Sequence, residues 1–206
     1  MPLDLAELVS PEHTAVVTCE MQRGTIGDHA CIPLLADEVR ELGVLDAAAN
    51  LCRAARAAGV RVVHATIELR ADGAGTTINN PMMAMAAKDP GRMQQGTPAA
   101  EVCPELGPEP EDVVVSRIHG VTPFTGTSLD PVLRSLGVTT IVPVGVSVNE
   151  ALLGLCISAA DLGYRIALPT DAIAGLPRAY AEQVVEHTLA LLVKRTTTTA
   201  VIATWH

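Results

Sequence analysis

Aromatic side chains are almost missing from this chain. One Phe, two Tyr and one Trp make up 2% of 206 residues, while hydrophobic residues as a whole reach 49%. A core without aromatics is built from Ala, Val, Leu and Ile, which suits helices packed on a parallel sheet. Basic residues are scarce as well, 14 against 23 acidic ones, for a net charge of -9. Non-specific nucleic-acid binding needs clustered Lys and Arg. No such patch occurs, and no nucleic-acid partner is expected. Five cysteines, Cys19, Cys31, Cys52, Cys103 and Cys156, show no CxxC spacing. That argues against a structural zinc site and against a disulfide scaffold. The odd count, with no basic stretch followed by an apolar one at the start, fits a reducing cytoplasm. No apolar run is long enough to span a membrane, so no membrane partner is expected. There is no GxGxxG, no GxxxxGK[ST], no GxSxG and no HExxH. No dinucleotide, cofactor or metal is therefore indicated.

What is present is a repeated alternation of short β-branched runs and helical stretches. Residues 14–20 (TAVVTCE), 60–66 (VRVVHAT), 112–116 (DVVVS), 139–144 and 165–168 read as strands. Residues 198–203 read as a sixth strand or a C-terminal edge segment. Helices are expected at 46–58, 129–136 and 178–193, the first two stopped by Gly59 and Gly137. Residues 71–110 are rich in Gly, Pro, Asn and Met; they form a long excursion with a short helix near 82–88. The alternation implies βαβ units, hence a three-layer α/β/α domain of Rossmann-like type with a six-stranded, mainly parallel sheet. Without a linker or internal repeat, residues 1–206 read as a single domain.

The chain is organised around residues 145–164 (GVSVNEALLGLCISAADLGY). A buried strand ends here in a glycine turn and opens into a helix. Backbone N–H groups at such a mouth are free to meet a ligand, and in an open α/β sheet small-molecule sites form there. Glu20 ends the first strand at the same edge. It is either a group for acid–base work or a strand-end acid facing water. Arg117 follows the third strand and should reach the same edge, where it either grips an anion or is solvated. His119 lies two residues on, in the Gly/Pro loop; it donates to a substrate or is simply exposed. His64 carries the same ambiguity, with a hydrogen-bonded core histidine the stronger reading. Phe124, the single Phe, either lines a pocket or packs in the core. Thr127 is a candidate N-cap, Asn149 caps the main helix or binds substrate, and Asp171 closes a turn or orders the site.

These residues, in this order, resemble the isochorismatase-like hydrolase superfamily across nearly the whole chain. Three segments carry the resemblance. AVVTCEMQRG is similar to the family's strand ending in Asp-x-Gln. VVVSRIHGVTPFTGTSLD is similar to its Lys-bearing strand and loop. GVSVNEALLGLCISAADLGYRIALPTDA is similar to its Gly-Val-x-Thr-Asn-x-Cys helix and the Asp-Ala that follows. The resemblance implies a catalytic Asp, Lys and Cys. Here Glu20 stands at the Asp position, Ala151 at the Cys position and, with one extra residue in the loop, Arg117 at the Lys position. Alanine cannot attack a carbonyl, so thioester chemistry is not expected. Cys156 lies about 140° round the helix from Ala151, Cys19 should face away from Glu20, and Cys31 is the cysteine geometry leaves open.

The superfamily's second chemistry needs no thiol: a strand-end acid protonates an enol ether and water adds to the cation. The expectation is thus a cofactor-free hydrolase with Glu20 and Arg117 catalytic. Gln22, His119, Phe124, Ser147, Asn149 and Ala151 would line the site of a small, anionic substrate. The rival is a binding or scaffold protein that kept the fold and lost the triad. The resemblance also implies a cis peptide at Val146-Ser147, an oxyanion hole of exposed amides, and a homodimer or homotetramer.

Overall fold

The structure, a computed structural model, describes residues 4–89 and 92–205. Six parallel strands form one sheet: β1 (Thr14–Cys19), β2 (Arg61–Ile67), β3 (Val113–Arg117), β4 (Thr140–Gly145), β5 (Arg165–Pro169) and β6 (Lys194–Thr196). Their order is β3-β2-β1-β4-β5-β6, and every paired ladder is parallel. The expected "mainly parallel" sheet is therefore parallel throughout. Chain order reverses between β1 and β4, which makes their carboxyl ends the switch point where ligands enter doubly wound sheets.

Among the described residues, eight α-helices accompany the strands: α1 (Leu5–Leu8), α2 (Pro33–Glu41), α3 (Val44–Ala57), α4 (Pro81–Ala86), α5 (Leu129–Ser135), α6 (Ala151–Asp161), α7 (Arg178–Gln183) and α8 (Thr198–Ile202). β1 is buried along its whole length, and its side chains alternate between two cores. Val16 joins the core under α3, with Leu51, Cys52 and Ala55. Ala15, Val17 and Cys19 join the core under α5 and α6, with Leu133, Leu152 and Leu155. This is the period-two alternation of a strand covered on both faces. α3 shows how the helices are stopped. Val60 N donates to Ala55 O and Gly59 N to Arg56 O, with Gly59 at φ 75°. That left-handed residue is cheap only for glycine, and the apolar residue after it opens the next strand. The same two bonds end α5 and α6.

Two expected elements differ. The sixth strand is Lys194–Thr196, and residues 198–202 are helical. Thr197 caps this helix by accepting from Ala200 N at 3.2 Å, and Asp171 accepts from Thr198 N at 2.8 Å and its hydroxyl at 2.6 Å. Capping outweighs the β-branched propensity of the threonine run. The helix expected over 178–193 is broken. α7 stops at Gln183, a π-turn covers Val184–Thr188, and a 3₁₀ turn covers Leu189–Leu191. The wider turn brings Val184 and Leu189, five residues apart, into the same core. α2, led by Pro33, fell in no expected element. No helix among the described residues is long and apolar enough to cross a membrane.

The long excursion folds back on the loop after Glu20. Arg23 N donates to Glu101 O, Gly24 N to Ala99 O and Cys103 N to Met21 O, at 2.8–3.0 Å. Its helix is α4, capped by the Asn80 side chain, which accepts from Met83 N at 2.9 Å.

A polar chain crosses the sheet beneath these loops. His64, fully buried, has Nδ1 2.8 Å from the Thr18 hydroxyl and Nε2 3.2 Å from Asp112 Oδ2. Arg56 holds the same carboxylate at 2.7 Å. Its place is thus the hydrogen-bonded core reading. Burial lowers the His64 pKa and the Arg56 charge adds to that, while Asp112 opposes it. An imidazole depressed in the folded state binds protons more readily once unfolded, so stability falls as pH drops through the unfolded value of about 6.5. The thermal midpoint should decline from about pH 7.5 to about 5.5, and His64→Gln should flatten that decline. An unchanged slope in the variant would contradict the assignment.

Candidate active site

The mouth of the site is set by how closely β1 and β4 approach. Cys19 pairs with Gly145, and Val146 N continues the contact by donating to Cys19 O at 3.0 Å. Gly145 sits at φ 114°, and a Cβ there would overlap the Cys19 carbonyl oxygen and come within 2.8 Å of Met21. Only glycine lets the strand end and the turn close this tightly. Glu20 follows at φ 52°, a left-handed conformation rare for a residue with a Cβ, and its amide donates to Ala65 O at 2.9 Å. Such backbone strain gathers at functional positions.

Arg117 closes β3 and reaches across β2 to this carboxylate. Its side chain is 3% exposed and that of Glu20 18%. Nη2 donates to Glu20 Oε1 in a short ion pair, and Nε is 3.5 Å from Gly120 O. Nη1 is buried and has no partner. A buried donor without an acceptor is rare in folded proteins and costs about 1–3 kcal/mol. It marks a place for an acceptor to arrive.

The turn over the β4 end supplies the opposite wall. The Val146-Ser147 peptide is cis, as is Leu176-Pro177. Ser147 O accepts from Glu150 N and Leu152 N, both at 3.0 Å, and Val148 N donates to Ala174 O at 2.9 Å. Val146 N, Val148 N and Glu150 N of the turn are therefore already engaged. The Ser147 hydroxyl donates to Asn149 Oδ1 at 3.0 Å, and that oxygen fills the space a Gly175 side chain would need. Ala151 is the first residue of α6 and is buried against its core.

Burial acts on all five thiols. Burial raises the pKa of Cys19, Cys31, Cys52, Cys103 and Cys156, the last three to about 12. The thiolate is the reactive form, so each is held away from it. Cys31 is half-buried and donates to Gly24 O at 2.8 Å. It borders a cavity of about 280 Å³ with His29, Asp89 and Arg92, within electrostatic reach of Glu20.

Two expected lining residues hold structure instead. Gln22 is fully buried; its amide donates to Ile67 O at 3.0 Å and Ala100 O at 2.6 Å and accepts from Ile67 N at 2.9 Å. It ties the Glu20 loop to the end of β2 and to the long excursion. Phe124 packs in the α5–α6 core with its ring 5.9 Å from that of Tyr164. Thr127 Oγ1 accepts from Leu129 N at 3.1 Å, one residue ahead of the cap. Asp171 fastens β5 to α8. His119 is half-buried, its ring against Gly126.

The fold agrees with known proteins. The chain matches the isochorismatase domain over residues 14–201. Maleamate amidohydrolase of Pseudomonas putida is 33% identical over 137 residues, 65% of this chain and 60% of the relative. Ureidoacrylate amidohydrolase RutB of Pseudomonas syringae is 29% identical, covering 68% and 62%. The matches thus span about three-fifths of these curated relatives' length. Among solved structures, a cysteine hydrolase from Pseudomonas syringae pv. phaseolicola superimposes with TM-score 0.78 at 26% identity, over 96% of this chain and 94% of that one. An isochorismatase family protein from Desulfovibrio vulgaris also reaches 0.78 at 26%, over 91% and 95%. This chain belongs to the isochorismatase family.

Gln22→Leu, close in volume, should strand the Ile67 and Ala100 backbone groups and lower stability by about 1–3 kcal/mol. Denaturant unfolding measures it; a loss under about 0.5 kcal/mol would show that the amide is not needed to hold the loop.

Proposed function

We propose that this protein is a cofactor-independent hydrolase of the isochorismatase type, acting on a small anionic molecule by acid catalysis from Glu20 without a cysteine nucleophile. The observation that carries this reading is the orphaned Arg117 Nη1, buried on the same guanidinium that holds Glu20. A substrate carboxylate is the natural acceptor, because a guanidinium offers parallel N–H groups to planar anions. The names of two relatives point the same way: maleamate and ureidoacrylate are short carboxylates bearing an amide or a ureido group.

The chemistry follows from what stands at the edge. Ala151 offers no nucleophile, so water must attack directly. In this reading a substrate carboxylate shares with Glu20 the guanidinium of Arg117. On an enol ether, Glu20, protonated from solvent, gives that proton to the double-bond carbon, whose π electron pair forms the C–H bond; water adds to the cation and loses its surplus proton to solvent, and the adduct splits into a carbonyl compound and an alcohol. His119, Ser147 and Asn149 frame the substrate in this reading. Ala151 and the five raised thiols favour one other reading, a small-molecule-binding protein that kept the fold and lost catalysis.

Turnover on a panel of enol ethers and carboxylate-bearing amides separates these. Glu20→Gln should lose about 10²–10⁴-fold in rate, the usual worth of a positioned acid, while Cys31→Ala keeps the wild-type rate. The reverse pattern would replace this mechanism with a relocated thiol. Tight binding of a panel member with no turnover would favour the binding protein.

A further inference from the structure

The loop after Arg117 carries His119 and also Gly120, whose carbonyl lies 3.5 Å from Arg117 Nε. It runs from β3 to α5 with no helix or strand of its own. Its position is therefore set by what it rests on. Thr76 of the long excursion donates its hydroxyl to Ile118 O at 2.8 Å. At the far end the Thr127 hydroxyl donates to Pro123 O at 2.6 Å. Between these two, Thr122 lies on α6, its hydroxyl 3.2 Å from that of Ser158. Gly154 is what lets it lie there. A Cβ at Gly154 would come within 3.0 Å of Thr122 Cβ, 3.5 Å of its Oγ1 and 3.6 Å of its Cα. Gly154 and Ser158 are four residues apart and share one face of α6. Gly154 is also three residues past Ala151, where α6 leaves the turn over the β4 end. Glycine is a poorer residue than alanine inside a helix. α6 itself gains nothing from it; the close approach of the loop does.

We propose that Gly154 is a positioning residue of the site. By carrying no side chain it seats Thr122 on α6, and this sets where His119 and the Gly120 carbonyl stand beside Arg117. The inference rests on the hydrolase reading above, in which Arg117 grips a substrate carboxylate. A methyl group at position 154 fits only if Thr122 gives by a few tenths of an ångström. Thr76 restrains the loop on one side and the Thr127–Pro123 bond on the other. The displacement therefore passes back along the chain from Thr122 to Gly120 and His119. The Gly120 carbonyl faces Arg117 Nε, so the guanidinium that offers its free Nη1 is disturbed as well. A misplacement of about 1 Å can cost about 10²-fold, so a few tenths should cost about threefold to tenfold.

The test is a double-mutant cycle on full-length protein, with succinate as the carboxylate probe and its Kd read from an amide NMR titration. Gly154→Ala should weaken succinate binding about threefold to tenfold. In a Thr122→Gly background the same substitution should change it less than about twofold. There the Cα of residue 122, at 3.6 Å, is the atom left in contact. Thermal unfolding separates positioning from plain destabilisation. Alanine favours the helix, so Gly154→Ala should keep or raise the thermal midpoint while it weakens binding. Equal weakening in both backgrounds, no weakening in either, or a midpoint that falls along with the affinity overturns the proposal. Succinate binding that ignores residue 154 removes the positioning role and leaves the hydrolase standing. No succinate binding to the wild type removes the anion grip on Arg117 and the positioning role with it. The turnover of Glu20→Gln decides the hydrolase reading separately.

Discussion

A guanidinium on β3 reaches over β2 to a carboxylate at the end of β1, and the arrangement of the site depends on that contact. The Arg117 side chain is almost wholly buried and Glu20 largely so. Removing one partner of such a pair leaves a charge without compensation and typically costs about 3–5 kcal/mol. The pair therefore constrains the sheet as much as the chemistry. It fixes the heights of the β1 and β3 ends relative to each other, and it holds the loop from Arg117 to Gly120 through Nε. One guanidinium nitrogen is left over, and the protein supplies nothing to satisfy it. A scaffold selected for stability alone would gain from filling that place with an acceptor or from an apolar pair.

Around this contact the fold acts as a set of spacers. The Gly145 approach to Cys19 leaves no room for a side chain, so the turn carrying Ser147 to Glu150 is pressed against the residue before Glu20. Gln22 bonds three backbone groups, two at the end of β2 and one in the long excursion, and keeps the Glu20 loop from drifting. The long excursion, with no strand among its described residues, is held by backbone bonds to that loop. Position here comes from packing and backbone pairing, and the charged groups are placed as a consequence.

Much of the sheet could be read from the chain because its strands are β-branched runs separated by helices that end in glycine. Those runs need burial on both faces, and the alternation of Val16 and Val17 between two cores supplies it. The threonine run misled for the same reason. Its local preference is for strand, but the Asp171 carboxylate arrives from β5 and caps a helix there. At the site, Glu20 and Arg117 were legible because charged residues at the ends of apolar strands must emerge at the same edge. Gln22 and Phe124 were placed at that edge too, yet their partners lie in Ile67, Ala100 and Tyr164, far off in sequence.

The account's central claim is that Arg117 Nη1 awaits an anionic oxygen beside Glu20. The most direct measurement is a crystal structure grown with a small carboxylate-bearing amide at saturating concentration. The account predicts a carboxylate oxygen about 3 Å from Nη1, with Glu20 still against Nη2. Nη1 bonded to a group of the protein itself, with the amide elsewhere or absent, would contradict it.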